Sequence, residues 1–306
     1  MACMVRASGL AAGDRTMAER EIASGDGMAI RHAAADKPAA SLSLTRLYGA
    51  MGLLSAVSVF FIAFPAVDIH VAALFHADGG FPATQNPSLV ALRGLGKTLV
   101  ILACLVLIAS LAAKLVRWSR PMPVRACRVW FLLASLALGP GLIVNGILKS
   151  YWGRPRPIQV DLFGGGAPFE TAWTISGACQ SNCSFVSGEA ASAFWLLGLV
   201  LLAPPRYRPA LAVGIGLFAF ALSLNRLAFG GHFLSDMLIS WAITLVVMFG
   251  LARLMLEEPF RSRIDAATES ALGQLALASR AALGRIARQR TTDHRSSGPD
   301  RVDPPN

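Results

Sequence analysis

The chain has 306 residues, of which 54% are hydrophobic and only 15% charged. A mean hydropathy of +0.53 is too apolar for a water-soluble domain and points to a membrane protein. The net charge of +10 does not call for nucleic acid as a partner: no basic stretch is interleaved with aromatic residues, and the arginines sit mostly between or after apolar segments. Five cysteines, Cys3, Cys104, Cys127, Cys179 and Cys183, are too few for a disulfide scaffold and form no paired clusters of the zinc-binding kind.

Residues 1–45 are polar and mixed in charge, without the order of a signal peptide, and read as a flexible cytoplasmic extension. A membrane-spanning helix needs roughly 20 mostly apolar residues. Six stretches are candidates, at 47–67, 98–116, 129–148, 190–203, 210–227 and 233–254. The third contains Gly139-Pro140-Gly141, a kink signal. The fourth is short unless it begins near Phe185. The predicted fold class is an all-α bundle of about six transmembrane helices over residues 46–256, followed by a cytoplasmic tail over 257–306. In that tail, apolar residues recur at helical spacing among Arg and Gln from Ile264 to Arg288. This fits either a basic amphipathic helix on the inner leaflet or a weak helix in solution. From Thr291 onward the chain is polar and Pro-containing, and disorder is expected.

Short loops set the orientation. Arg117, Arg120, Arg125 and Arg128 separate spans two and three, Arg206 and Arg208 separate spans four and five, and Arg261 and Arg263 follow span six. With six spans these positions share one side, which is then cytoplasmic, with both termini. The segments 68–97, 149–185 and 228–232 face outward, toward a periplasm in a Gram-negative bacterium. Lys149, Arg154, Arg156 and Arg226 break the charge rule by lying on the outward side. Either a bound anion or snorkelling to lipid phosphates accounts for them.

Three clusters carry chemistry. The first, from Lys149 to Pro157, reads K-S-Y-W-G-R-P-R-P. Pro155 and Pro157 end the helix, so Lys149 on the last turn and Arg156 in the extended part can converge on one anion. The second, Val186-Ser187-Gly188-Glu189, opens an apolar stretch. Ser187 is a candidate N-cap and Gly188 allows close approach to free N–H groups, which serves either an anion or a plainly capped helix. The third runs from Asn225 to Asp236 and contains Arg226, His232 and Asp236. A helix starting near Gly231 would set His232 and Asp236 one turn apart on one face, either as a structural pair or as an oriented nucleophile. Three cations, a helix start, a His–Asp pair and one further acid on one membrane face suit phosphoryl transfer through a phosphohistidine.

These motifs resemble the type-two phosphatidic acid phosphatases, within the acid phosphatase and vanadium haloperoxidase superfamily. That family's signature is K-x6-R-P, P-S-G-H, and S-R-x5-H-x3-D. Lys149 to Arg156-Pro157 matches the first part, and Arg226, His232 and Asp236 match the third. Asn225 stands where the third part begins with serine, and Glu189 stands where the second part ends in histidine. The resemblance implies that Lys149, Arg156 and Arg226 bind phosphate, with donors added by Ser187 and Gly188. It implies His232 as nucleophile, Asp236 as its orienting acid, and the position of Glu189 as that of the proton donor. No metal or other cofactor is expected. Cys179 and Cys183, just upstream on the outward side, are either a disulfide shaping the entrance or two free thiols.

The function expected is an inner-membrane phosphatase for a lipid phosphate, with phosphatidate, phosphatidylglycerophosphate, undecaprenyl diphosphate and lipid A as candidates. The same residues also fit a lipid-to-lipid phosphotransferase. A non-catalytic relative or a transporter is the alternative of a different class. Oligomeric state is not legible in the sequence.

Overall fold

The computed structural model describes residues 37–117, 122 and 124–296. Most of the amino-terminal extension, Cys3, Arg120 and residues 297–306 lie outside the described residues.

Helix α1, Lys37–Ala63, ends where Phe64-Pro65 removes a backbone donor, and the short helix α2, Ala66–Ala73, follows. Helix α3, Pro87–Val116, begins at Pro87 rather than near 98. The start has a local cause: Pro87 occupies the first turn, and the Asn86 side chain accepts from the N–H groups of Ser88 and Leu89 at 3.0 and 3.3 Å. Much of the segment read from sequence as an outward loop is therefore helix, and it carries Arg93 and Lys97 with it.

Helix α4 runs Ala126–Leu136, widens into a π-helix over Ala137–Leu148, and closes with Lys149–Tyr151. Pro140 lies inside the widened stretch, where its missing donor and ring bulk are accommodated by i→i+5 bonding. Helix α5, Gly188–Trp195, continues as a 3₁₀-helix over Leu196–Leu202. The tighter coil rises more per residue, so these few residues reach about 26 Å, close to the hydrocarbon thickness of a bilayer. Helices α6, Arg208–Ala228, α7, Leu234–Leu256, and α8, Phe260–Ser296, complete the described residues.

Five described segments are long and apolar enough to cross a membrane: Leu44–Ala63, Pro87–Val116, Ala126–Tyr151, Pro205–Ala228 and Leu234–Leu256, with Gly188–Leu202 a shorter sixth. Large apolar side chains such as Leu105, Val106, Val213 and Leu217 point outward, as a lipid solvent allows. The protein is a multi-pass all-α membrane bundle.

Within lipid, helices associate through close packing rather than through escape from water. Helix α5 is built for this, with Gly188, Ala190, Ala191 and Ala193 buried at its start. A Cβ added at Gly198 would press on the side chains of Leu132 and Met248 at 2.7 and 2.9 Å. Trp195, fully buried, donates its indole N–H to the Leu132 carbonyl at 3.0 Å and to Ser135 Oγ at 3.1 Å, tying α5 to α4.

The tail helix docks at the opposite end from the three motifs. Asp265 accepts from the Cys127 N–H at 2.8 Å and so supplies a cap that α4 lacks locally. Glu269 pairs with Lys114 and accepts from the Met122 N–H at 3.1 Å. The helix continues through Ser296, past Thr291, where composition places the start of disorder. On the same helix Leu275, Leu277, Leu283 and Ile286 are exposed.

Candidate active site

Alternation of the helices brings one set of ends together: the start of α3, the end of α4, the start of α5, the end of α6 and the start of α7. All three motifs occupy that end.

In R-P-R-P the two arginines, separated by one proline, part company. Arg154 is sealed from solvent. Its Nη2 pairs with Asp68 Oδ2 at 2.8 Å, its Nη1 with Asp236 Oδ1 at 2.7 Å and Ser235 Oγ at 2.8 Å, and its Nε donates to the Glu170 carbonyl at 2.8 Å. Burial opposes its charge, but Asp236 and Asp68 outweigh that and hold the guanidinium above its usual range. Burial pushes the Asp68 carboxyl up, against the pull of Arg154. This network pins α2, the motif loop and α7 together. Arg156 is half-buried and turns the other way, donating Nε and Nη2 to the Asn182 carbonyl at 3.0 and 2.7 Å. Burial and then Arg93 push its guanidinium below the usual range, a sign of crowded positive charge.

His232 lies just before α7 rather than in its first turn, so the expected one-turn stacking on Asp236 does not form. Its Nδ1 is 2.7 Å from the Ser184 carbonyl and 3.8 Å from Asp236 Oδ2, the latter too long for a hydrogen bond. A carbonyl only accepts, so Nδ1 carries the proton and Nε2 keeps a lone pair. Asp236 acts nearby by charge and by holding the frame: it accepts from Ser184 Oγ at 2.5 Å and from the Phe233 N–H at 2.9 Å, closing the first turn of α7. Burial pushes the imidazole down to about 4, against the pull of Asp236, with Arg226 and Lys149 adding to the downward push. His232 is neutral at ordinary pH.

Glu189 sits in the first turn of α5. Its carboxylate accepts from Arg93 Nε at 3.1 and 3.0 Å and from Arg93 Nη2 at 2.7 Å. Lys97 Nζ stands 3.8 Å away and Arg226 Nε 3.5 Å away. To donate a proton Glu189 must first be freed from Arg93. The Arg226 Nε is buried and has no hydrogen-bond partner. Gly231 makes room for it, because a Cβ there would collide with the Arg226 guanidinium. Lys149 lies within electrostatic reach of Arg156, Glu189 and Arg226. A cleft of about 410 Å³ is lined by Arg93, Lys97, Lys149 and Glu189 together with the apolar Val100, Ile101 and Leu222.

Ser187 caps α5, its Oγ accepting from the Ala190 N–H at 3.4 Å. Gly188 is buried, and a Cβ there would strike the Asn145 amide, so its missing side chain also serves packing. Asn225 donates Nδ2 to the Leu89 carbonyl at 2.9 Å and ties α6 to the turn of α3 that precedes Arg93. Cys179 and Cys183 form a disulfide. The structure thus gathers every residue singled out in the three motifs, and adds Asp68, Arg93, Lys97 and Ser184. The signal for Arg93 and Lys97 was present as Asn86-Pro87, a helix start that places them one turn apart on the face toward α5. Among the described residues no three His, Cys, Asp or Glu side chains come together to hold a metal.

Residues 128–259 match the model of the PAP2 superfamily. A lipid A 4'-phosphatase from Rhizobium leguminosarum is 38% identical over 213 residues, covering 65% of this chain and 91% of that protein. The chain belongs to the PAP2 superfamily. A second lipid A 4'-phosphatase, from Rhizobium etli, is 38% identical over 217 residues, covering 65% of this chain and 83% of that protein. A third, from Francisella tularensis subsp. novicida, is 34% identical over 181 residues, covering 58% and 81%. Among solved structures, a transmembrane PAP2-type phosphatidylglycerolphosphate phosphatase from Bacillus subtilis aligns over 68% of this chain and 93% of its own, with 17% identity and a TM-score of 0.44. This PAP2 chain is a membrane lipid phosphatase.

Proposed function

We propose that this enzyme removes a phosphate from lipid A through a phosphohistidine on His232, at the periplasmic face of the inner membrane. The observation that carries the mechanism is the neutral, buried His232, its Nδ1 proton committed to the Ser184 carbonyl and its Nε2 left with a lone pair beside Arg226 and Lys149. The three lipid A 4'-phosphatases that it resembles support the substrate. The apolar lining of the cleft by Val100, Ile101 and Leu222 suits the acyl part of such a lipid. The side assignment rests on the basic residues Arg125, Arg128, Arg206, Arg208, Arg261 and Arg263 at the end opposite the site.

In this reading Lys149, Arg156 and Arg226 hold the phosphate oxygens, and the free N–H groups after Ser187 and Gly188 add donors. The arriving phosphate competes for Arg93 and releases Glu189. A substrate that arrives as the monoanion brings the proton that Glu189 takes up. His232 Nε2 then attacks phosphorus, the bond from phosphorus to the lipid oxygen breaks, and Glu189 protonates that oxygen. Water next attacks the phosphohistidine, giving its proton to Glu189 and releasing phosphate. Asp236 orients the frame around His232 rather than touching substrate.

The test is phosphate release by purified protein from lipid A, phosphatidate, phosphatidylglycerophosphate and undecaprenyl diphosphate. Lipid A is expected to be the preferred substrate, and His232→Ala to lower turnover at least about 10³-fold. Unchanged release by His232→Ala would overturn the mechanism, and preference for another lipid would overturn the substrate.

A further inference from the structure

We propose that the disulfide-closed strap from Cys179 to Ser184 positions both the nucleophile and a phosphate-binding cation, so that the enzyme works at full rate only in its oxidised form. The inference rests on the reading of His232 and Arg156 given above.

Two backbone carbonyls of this strap, two residues apart, hold the two groups. The Asn182 carbonyl accepts from both Nε and Nη2 of Arg156, which fixes the plane of the guanidinium and leaves Nη1 for phosphate. The Ser184 carbonyl takes Nδ1 of His232, while Ser184 Oγ bonds Asp236. Asn182 holds φ at +50°, in the left-handed region, where asparagine is among the better-tolerated residues and which the short covalent ring keeps occupied.

The strap is also laced to the first motif. The N–H groups of Ser176, Cys179 and Ser184 donate to the carbonyls of Trp152, Gly153 and Arg154 at 2.9, 3.0 and 2.8 Å. Gly153 has φ of +67°, and a Cβ there would collide with the Ser176 carbonyl, so only glycine permits this approach. Cys179 is half-buried and Asn182 exposed, so the ring is open to a small reductant, whereas Cys183 is buried. A dithiol reductant would pass two electrons and two protons to the S–S bond, yielding two thiols and closing into a disulfide itself. Asn182 would then be free to leave its conformation, and both carbonyls would lose their fixed aim.

The experiment compares full-length protein before reduction, after reduction with dithiothreitol that is removed before orthovanadate is added, and after reoxidation, with thiols counted by alkylation and mass spectrometry. Two quantities are read: affinity for orthovanadate as a phosphate mimic, and kcat and KM on lipid A. Reduction is expected to weaken orthovanadate binding roughly tenfold and to lower kcat by about 10–100-fold, the scale of an ångström-level misplacement. Reoxidation restores both. Cys179→Ser is expected to start low and ignore the reductant, and replacement of Cys104 and Cys127 by Ser to leave the response intact. Unchanged affinity and kcat with both strap thiols alkylated would overturn the proposal. Absence of phosphate release from every lipid would count against the phosphatase reading instead, and orthovanadate binding would still decide the role of the strap.

Discussion

Two charge clusters, a few residues apart in space, follow opposite rules. In Asp68–Arg154–Asp236, exposure is 1% or less, and every nitrogen of the guanidinium has an acceptor. In Arg93–Glu189–Arg226, exposure reaches 35% at Arg93 and 27% at Glu189, and a single carboxylate is shared by Arg93, Lys97 and Arg226, with Lys149 and Arg156 beside it. The first cluster is saturated, so an arriving anion finds nothing free. The second has positive charge in excess and faces a cleft, so an anion would complete it. Full pairing marks a charge as structural, and incomplete pairing beside a cavity marks it as a candidate binding group.

The sharpest way to break this contrast uses the two arginines of R-P-R-P. Arg154→Met strands Asp68 and Asp236 without a counter-charge, and loss of one partner from a buried pair costs about 3–5 kcal/mol. The expected result is a large fall in thermal stability or failure to recover folded protein. Arg156→Met leaves only a carbonyl unbonded. It is expected to keep the melting temperature while lowering kcat/KM by about 10²–10³-fold, the scale of one lost transition-state donor. If Arg154→Met proved stable and Arg156→Met unstable, the assignment of the two clusters would be reversed.

Glu189→Gln probes the open cluster alone. The substitution keeps shape, removes the proposed proton donor and frees Arg93 from its ion pair. The expected outcome is a fall in kcat of about 10²-fold, typical of a lost general acid, with no rise in KM because Arg93 becomes available to phosphate. A fully active Gln variant would sink the acid–base role and leave Glu189 as a holder of Arg93.

The sequence made much of this contrast legible and hid the rest for identifiable reasons. Helix count, the Pro-ended third helix and the convergence of Lys149, Arg156, Arg226 and His232 follow from local patterns: apolar length, proline, and the order of short motifs. Arg154 looked like Arg156 because composition does not say which of two arginines flanking one proline turns inward. Its partner Asp68 lies 86 residues away in a helix too short and too apolar to mark as a site. Arg93 and Lys97 were missed because hydropathy penalises charged residues at a helix start, although Asn86-Pro87 is a cap signal in its own right. The partner of His232 was the hardest to foresee: a backbone carbonyl has no letter in the sequence, and Asp236 at the matching spacing drew the eye instead.

Burial beside the closed cluster sets how His232 responds to pH. Burial lowers its folded-state value to about 4, against 6.5 for an ordinary histidine. The unfolded chain therefore takes up this proton first as pH falls. The stability that neutral His232 contributes is complete above about 6.5 and is lost between there and about 4. For catalysis the same shift keeps Nε2 unprotonated through the neutral range, so His232 itself imposes no acid limb on kcat/KM near 6.5. Substrate ionisation near pH 6 also moves that profile, so the cleaner measurement is an NMR titration of histidine-labelled protein without substrate. Comparison with His232→Ala identifies the resonance among the five histidines of the chain. The expected midpoint is near 4. A midpoint above about 6 would mean that water reaches the ring, and that the sealing of the closed cluster does not extend to His232.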